Sequence, residues 1–191
     1  MINPLSGSKV ILGVTGSIAC YKAADLASKL TQEGAQVDVI LTQGASNFIT
    51  PLTFRSLTHR PIITDLFDVD SEQAVAHVAM AHSADIIVVA PATAHFIAKL
   101  AHGMADDALG CVALALRPEA KVLVAPAMNG SMWRHPATVA NVATLTARGA
   151  EFLGPDDGLL SCGYAGIGRL WPVDGIANRA LELLGLEQAN D

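Results

Sequence analysis

Apolar runs of strand length alternate along this chain with stretches whose apolar residues recur at helical spacing. Lys9-Val10-Ile11-Leu12-Gly13-Val14-Thr15 reads as a strand buried on both faces, and Ile18 to Leu30 follows with the pattern of an amphipathic helix. Gln36 to Leu41, Ala84 to Ala90 and Lys121 to Ala125 repeat the strand pattern, and a further helix is predicted from about Pro136 to Ala147. Near-continuous Val, Ile and Leu strands separated by helices predict a parallel sheet covered on both faces. The expected fold class is α/β, a Rossmann-like or flavodoxin-like three-layer αβα arrangement. Residues 1–191 carry no repeat, low-complexity tract or internal linker and read as a single domain. Glu187 to Asp191 read as a frayed end or the start of a linker.

Composition adds a tension to this picture. The chain is 51% hydrophobic and 16% charged, with a mean hydropathy of +0.40, where a soluble domain usually carries about 25% charged residues. Intrinsic disorder is excluded by the abundance of apolar residues. A membrane span is not expected either, because the longest apolar run, Ala108 to Leu116, is closed by Asp107 and Arg117 and falls short of the roughly 18 residues a bilayer needs. The excess apolar surface is expected to lie against another subunit or a bound cofactor. A net charge of -6 with no basic run makes nucleic acid an unsuitable partner. Cys20, Cys111 and Cys162 are odd in number and widely spaced, so they read as reduced thiols rather than a disulfide framework or zinc site. The segment Met1 to Ser8 lacks the charged-then-apolar layout of a signal peptide, and the expected location is the cytoplasm.

In open α/β sheets ligands bind beyond the carboxyl ends of the strands, so the loops after the strands are the candidate chemistry. After the first strand, Gly13-Val14-Thr15-Gly16-Ser17-Ile18-Ala19 offers a tight turn at Gly16 and a helix-capping hydroxyl at Ser17. It is not GxGxxG, and Thr42 stands at the end of the second strand where a dinucleotide reader wants an acid. A single phosphate or a plain strand-to-helix turn both fit. After the third strand, Pro91 is expected to stop the strand and Thr93 to cap the next helix. His95 and His102 lie seven apart on that helix, but no acidic or Cys ligand accompanies them, so no metal is expected. After the fourth strand, Ala127-Met128-Asn129-Gly130-Ser131-Met132-Trp133 places an amide among apolar side chains; the methionines serve equally as core filler. Residues 154–170 put five glycines around Cys162, either a flexible substrate flap or a turn-rich surface loop with an incidental thiol. His77, among small apolar residues, is either a satisfied core histidine or an acid/base group working near neutral pH.

Taken together, four segments resemble the cysteine-decarboxylating flavoproteins, over nearly the whole chain from Lys9 to about Gly175. They are Gly13 to Ala19, the single His77, Pro126-Ala127-Met128-Asn129-Gly130-Ser131-Met132-Trp133, and Ser161-Cys162-Gly163 followed by Gly166, Gly168 and Arg169. The nearest branch is the phosphopantothenoylcysteine decarboxylase domain of the bacterial bifunctional enzyme of coenzyme A biosynthesis. The resemblance implies FMN held by Gly16, Ser17, Thr42, Thr93 and Ala94, with Ala127 against the ring, in homotrimers whose flavin lies at a subunit interface. It implies His77 as the active-site base, Asn129 gripping the substrate carboxylate with Met128 and Ser161 nearby, and Cys162 as the proton donor of the last step. Many members carry Ser-Ala-Asn-Thr where this chain has Thr93-Ala94-His95-Phe96, so His95 and Phe96 inherit no role. No ligase domain of the kind those bacterial enzymes carry is read within residues 1–191.

The implied chemistry explains why such residues occur together. Loss of CO2 from a cysteine carboxylate leaves electrons with nowhere to go until the carbon bearing sulfur is oxidised to a thioaldehyde, a sink the flavin makes possible. Return of the electrons, with a proton from Cys162, gives the saturated aminothiol and points to 4'-phosphopantothenoylcysteine as the small-molecule substrate. Rival readings are an oxidative decarboxylase of a C-terminal peptidyl cysteine, a flavin prenyltransferase, and a non-catalytic FMN-binding regulatory subunit. The Pro126 to Asn129 and Ser161 to Gly163 segments count against the prenyltransferase and His77 against the regulatory subunit.

Overall fold

The computed structural model describes residues 3–65, 76–161 and 163–186. Six parallel strands form the central sheet: β1 (Lys9–Val14), β2 (Gln36–Leu41), β3 (Ile62–Ile63), β4 (Ile86–Ala92), β5 (Lys121–Pro126) and β6 (Glu151–Phe152). Their spatial order is β3-β2-β1-β4-β5-β6, the doubly wound order of Rossmann-like sheets. The chain direction across the sheet reverses between β1 and β4, and this is where a crevice opens at the carboxyl edge.

Alternation along the strands divides the interior into two apolar layers. Val10, Leu12 and Val14 of β1 face one layer, with Val37, Val39, Val88 and Leu123. That layer is closed by α1 (Cys20–Gln32), by Phe54 of α3 (Pro51–Thr58) and by α9 (Val173–Leu183). Ile11, Ile40, Ile87 and Val124 face the other. It is closed by α4 (Ala76–Ser83), α5 (Ala94–Ala101), α6 (Ala108–Leu114) and α8 (Pro136–Ala147). The expected three-layer αβα fold is therefore present, and no helix among the described residues is long and apolar enough to cross a membrane.

Several boundaries differ from the sequence reading. Pro91 does not stop its strand: β4 runs through it to Ala92, with a register irregularity between Val89 and Ala92. A proline has no N–H to give, but its carbonyl accepts from the Thr15 N–H at 3.2 Å, so pairing continues on the β1 side. The first helix starts at Cys20 rather than Ile18, because the Cys20 N–H bonds to the Ser17 carbonyl in a preceding turn. The strands β3 and β6 have two residues each, too short for periodicity to reveal. Two short helices, α2 (Gln43–Ser46) and α7 (Gly130–Trp133), follow β2 and β5.

Candidate functional site

The loops after β1 and β4 are bound to each other by one buried hydroxyl. Thr15, 2% exposed, donates from Oγ1 to the Pro91 carbonyl at 2.8 Å and accepts from the Thr93 N–H at 2.9 Å. Its Oγ1 also lies 3.2 Å from that of Thr93. Thr93 in turn caps α5, accepting from the Phe96 N–H at 3.3 Å as expected. Ser17 does not cap α1; its Oγ accepts from the Ala19 N–H two residues on, at 3.3 Å, and Ala19 holds the cap position without a side-chain bond. The result is two helix starts, those of α1 and α5, held at one crevice with their backbone donors facing the same end of the sheet.

Gly16 is required by a neighbour. A Cβ there would stand 2.8 Å from the Gly44 carbonyl carbon, and one on Gly44 would stand 3.3 Å from Gly16 Cα, so the two backbones pack directly. Thr42 fixes this contact by capping α2, its Oγ1 accepting from the Ala45 N–H at 3.3 Å. Thr42 thus supports the Gly16 loop from behind and is not among the residues that line the cleft. Asp38, too early in β2 to meet a ligand, pairs with Arg60 at 2.6 Å.

The third wall follows β5. Ala127 joins the β4 loop through its N–H, 3.0 Å from the Ala92 carbonyl, and Asn129 caps α7 with Oδ1 on the Ser131 N–H at 2.8 Å. The fourth wall is the glycine-rich stretch, most of which is an antiparallel hairpin of β7 (Asp156–Leu159) and β8 (Ala165–Arg169) rather than an irregular loop. Gly168 binds it to the third wall: its carbonyl accepts from the Met128 N–H at 3.0 Å, and a Cβ on it would fall 2.1 Å from the Met128 carbonyl oxygen. A side chain on Gly130 would likewise meet the Ile167 carbonyl at 2.6 Å. The hairpin turn is closed by the Gly163 N–H on the Leu160 carbonyl, 2.9 Å, which places Ser161 on the cleft.

These walls enclose a cleft of about 420 Å³. Of the residues expected at a site, Gly16, Ser17, Thr93, Ala94, Ala127, Met128, Asn129 and Ser161 all line it. Cys162 lies outside the described residues, between Ser161 and Gly163 in sequence; His77 is the second residue of α4, its side chain outside the described part. The sequence reading gave no place to Thr15, which ties the crevice together, nor to Ile18, Tyr21, Lys22 and Leu159, which also line the cleft. An amphipathic helix pattern does not separate a cleft-facing Lys from an ordinary solvated one.

Several charged and thiol groups near these walls are held by neighbours in the fold. Lys99, 4% exposed, is paired with Asp106 and Asp107; burial works against its ammonium, but the two carboxylates outweigh this and raise its pKa. Burial raises the Cys20 thiol, which donates to the Thr15 carbonyl at 3.1 Å and stays protonated. Arg169 bonds to Asp156 and holds that carboxyl below its usual range. No group of His, Cys, Asp and Glu suited to a metal occurs among the described residues, and His102 ends α5 as its C-cap. The cleft offers apolar surface at Ala94, Ala127, Met128 and Leu160 beside neutral amide and hydroxyl donors, which suits a flat aromatic group carrying an anionic tail.

Comparison with known proteins agrees with that chemistry. The profile of the family described as Flavoprotein matches residues 3–185. The coenzyme A biosynthesis bifunctional protein CoaBC of Vibrio vulnificus (strain YJ016) is 46% identical over 166 residues, covering 87% of this chain and 41% of that protein. The chain thus spans about two fifths of the length of this bifunctional relative. The probable phosphopantothenoylcysteine decarboxylase of Streptococcus mutans serotype c is 42% identical over 176 residues, 92% of this chain and 98% of that one. Among solved structures, a PPC decarboxylase mutant complexed with pantothenoylaminoethenethiol superposes with a TM-score of 0.83 at 27% identity, over 91% of this chain and 96% of that one. The FMN-dependent cysteine decarboxylase SpaF gives 0.81 at 31% identity, over 95% and 99%. This chain belongs to the Flavoprotein family.

Proposed function

We propose that this protein is an FMN-dependent decarboxylase that converts 4'-phosphopantothenoylcysteine to 4'-phosphopantetheine in coenzyme A biosynthesis. The observation that carries the reading is the convergence of the Gly16, Thr93, Ala127 to Asn129 and Ser161 segments on one cleft. Its sequence support is the 42% identity to a probable phosphopantothenoylcysteine decarboxylase over nearly that protein's whole length. FMN, when bound, supplies the reversible two-electron chemistry that lets a cysteine carboxylate leave as CO2.

The chain's own residues do the rest. Gly16, Ser17, Thr93 and Ala94 hold the flavin at the two helix starts, with Ala127 against the ring and Thr42 supporting the Gly16 loop through Gly44. Asn129, beside Met128 and Ser161 on the cleft wall, orients the substrate carboxylate. His77 serves as the base that takes the thiol proton, and Cys162 returns a proton to the substrate carbon at the end. Homotrimers complete the cleft, and the free thiols Cys20 and Cys111 suit the cytoplasm.

Mass spectrometry of 4'-phosphopantothenoylcysteine incubated with the yellow, flavin-loaded protein tests this. Loss of CO2 alone is the expected result. An unchanged substrate, together with loss of CO2 and two hydrogens from a peptide ending in cysteine, would replace this reading with the peptidyl one. His77→Asn is expected to keep its flavin absorbance and lose turnover.

A further inference from the structure

A second cavity, of about 160 Å³, opens where α5, α6 and α8 cover the sheet. Its floor includes Ile87 of β4 and Val122 of β5, which lie side by side in the ladder. Each is the second residue of its strand, so this cavity sits at the amino edge of the sheet, away from the flavin cleft. Its walls come from the C-terminal halves of the three helices, with Leu100 of α5, Leu114 of α6 and Leu145 of α8. Space remains between them because Ala113 and Ala150 bring only methyl groups to the lining. Nine of the ten described lining residues are apolar, and the tenth is Arg148. An apolar cavity of roughly 150 Å³ stays dry and takes a molecule the size of benzene, whereas a buried water needs about two to four polar partners.

Arg148 gives this apolar space one charged edge. It is the C-cap of α8, and its Nη1 donates to the carbonyl of Ala101, the last residue of α5, at 2.7 Å. That bond fixes the guanidinium across the gap between the two helix ends. It uses one of the five N–H donors an arginine carries, and no carboxylate pairs with Arg148 among the described residues. The acids nearest the lining in sequence are engaged elsewhere. Glu151, which follows Ala150, is gripped by Arg179 of α9 in the other layer. Asp85, just before β4, is taken by Arg117 and by the Lys9 N–H. A fixed guanidinium beside a dry apolar cavity matches a molecule with an apolar body and a carboxylate head, since the guanidinium fork fits a carboxylate with two parallel hydrogen bonds.

We propose that this cavity is a second binding site, for a small amphipathic monocarboxylate whose short alkyl chain or single ring lies between α5, α6 and α8 and whose carboxylate rests on Arg148. The inference stands apart from the decarboxylase reading, because none of these residues lines the flavin cleft. Titration calorimetry of the flavin-loaded protein with hexanoate, and with hexanol as the uncharged analogue, tests it in the wild type, Arg148→Gln and Ala113→Leu. Hexanoate is expected to saturate at one site per chain with a dissociation constant of about 1 mM or below. Arg148→Gln should weaken hexanoate roughly tenfold and leave hexanol unchanged. Ala113→Leu, which fills the cavity, should abolish both; if that variant does not fold, Ala150→Val narrows the same space from the β6 side. No saturable binding of hexanoate, or equal affinity for hexanoate and hexanol in the wild type, overturns the proposal. Full affinity in a folded cavity-filling variant places the ligand elsewhere and overturns it as well. Binding that disappears as protein concentration rises would show that a second copy covers the cavity, and this too overturns the carboxylate assignment.

Discussion

Thr15 shows how much of this site depends on one hydroxyl. It bonds to the Pro91 carbonyl and the Thr93 N–H from a position 2% exposed. Thr15→Val keeps the volume and takes the acceptor from the Thr93 N–H, while the Pro91 carbonyl keeps its bond from the Thr15 N–H, and a buried polar group left unsatisfied costs about 1–3 kcal/mol. The variant is expected to unfold at lower denaturant concentration by that amount and to bind flavin more weakly, since the two helix starts are no longer tied. Unchanged stability with unchanged flavin affinity would remove Thr15 from the framework of the site. The residue was visible in the sequence only as part of Gly13 to Ala19, and nothing local marks it, because both partners lie across 76 to 78 positions of chain. Thr93 was legible for the opposite reason: its cap is a contact three residues away. Ser17 was misread because a serine before an amphipathic run invites a cap, whereas an intervening turn moves the helix start to Cys20.

Elements follow the same division between local and distant causes. The long strands and α8 were legible from period alone, with β2 and α8 at their predicted limits. The hairpin was not, because glycines at 158, 166 and 168 dilute any alternation. Those glycines answer to contacts: Gly158 makes room for Arg169, and Gly168 lets β8 touch the loop after β5. Gly168 has φ 142° and would place a Cβ 2.1 Å from the Met128 carbonyl oxygen. Gly168→Ala must therefore push the hairpin off the Met128 to Gly130 wall, at a cost of about 1–3 kcal/mol. The expected outcome is a several-fold higher substrate KM with flavin binding kept, because the β1 and β4 loops do not depend on that contact. At the other edge of the sheet, Arg179 of α9 grips Glu151 of β6 through two nitrogens. That bond holds the Glu151 carboxyl below its ordinary value of 4.5. A depressed acid stabilises the fold above the unfolded value, and the contribution is lost as pH falls through the folded one. With both side chains about a third exposed, solvent screening keeps the pair's contribution small. Melting curves between pH 7 and pH 3 should show Glu151→Gln less stable at neutrality and merging with the wild type in acid. A constant gap across that range would rule the pair out as the cause.

At the scale of the whole molecule, the 51% hydrophobic composition is only partly absorbed by the two interior layers. Ile18, Tyr21 and Leu159 are 57%, 66% and 74% exposed, and all three line the cleft. They come from the turn before α1, from α1 itself and from β7, so no single misplaced element accounts for them. Phe48 and Leu52, on the segment running from α2 into α3, are also exposed. Full burial of such a side chain is worth about 1.5–3 kcal/mol, so a monomer forgoes several kcal/mol at the rim of its own site. In the proposed trimer a second copy covering this rim would recover that energy and close the cleft against water, which would couple assembly to flavin binding. Light scattering is expected to give three times the 19.8 kDa chain mass. Leu159→Asp, which keeps the hairpin but charges its exposed face, should shift the protein toward monomer and release flavin in the same concentration range. A monomeric wild type that holds flavin tightly would show that the cleft is complete within one chain and that the exposed apolar rim serves something else.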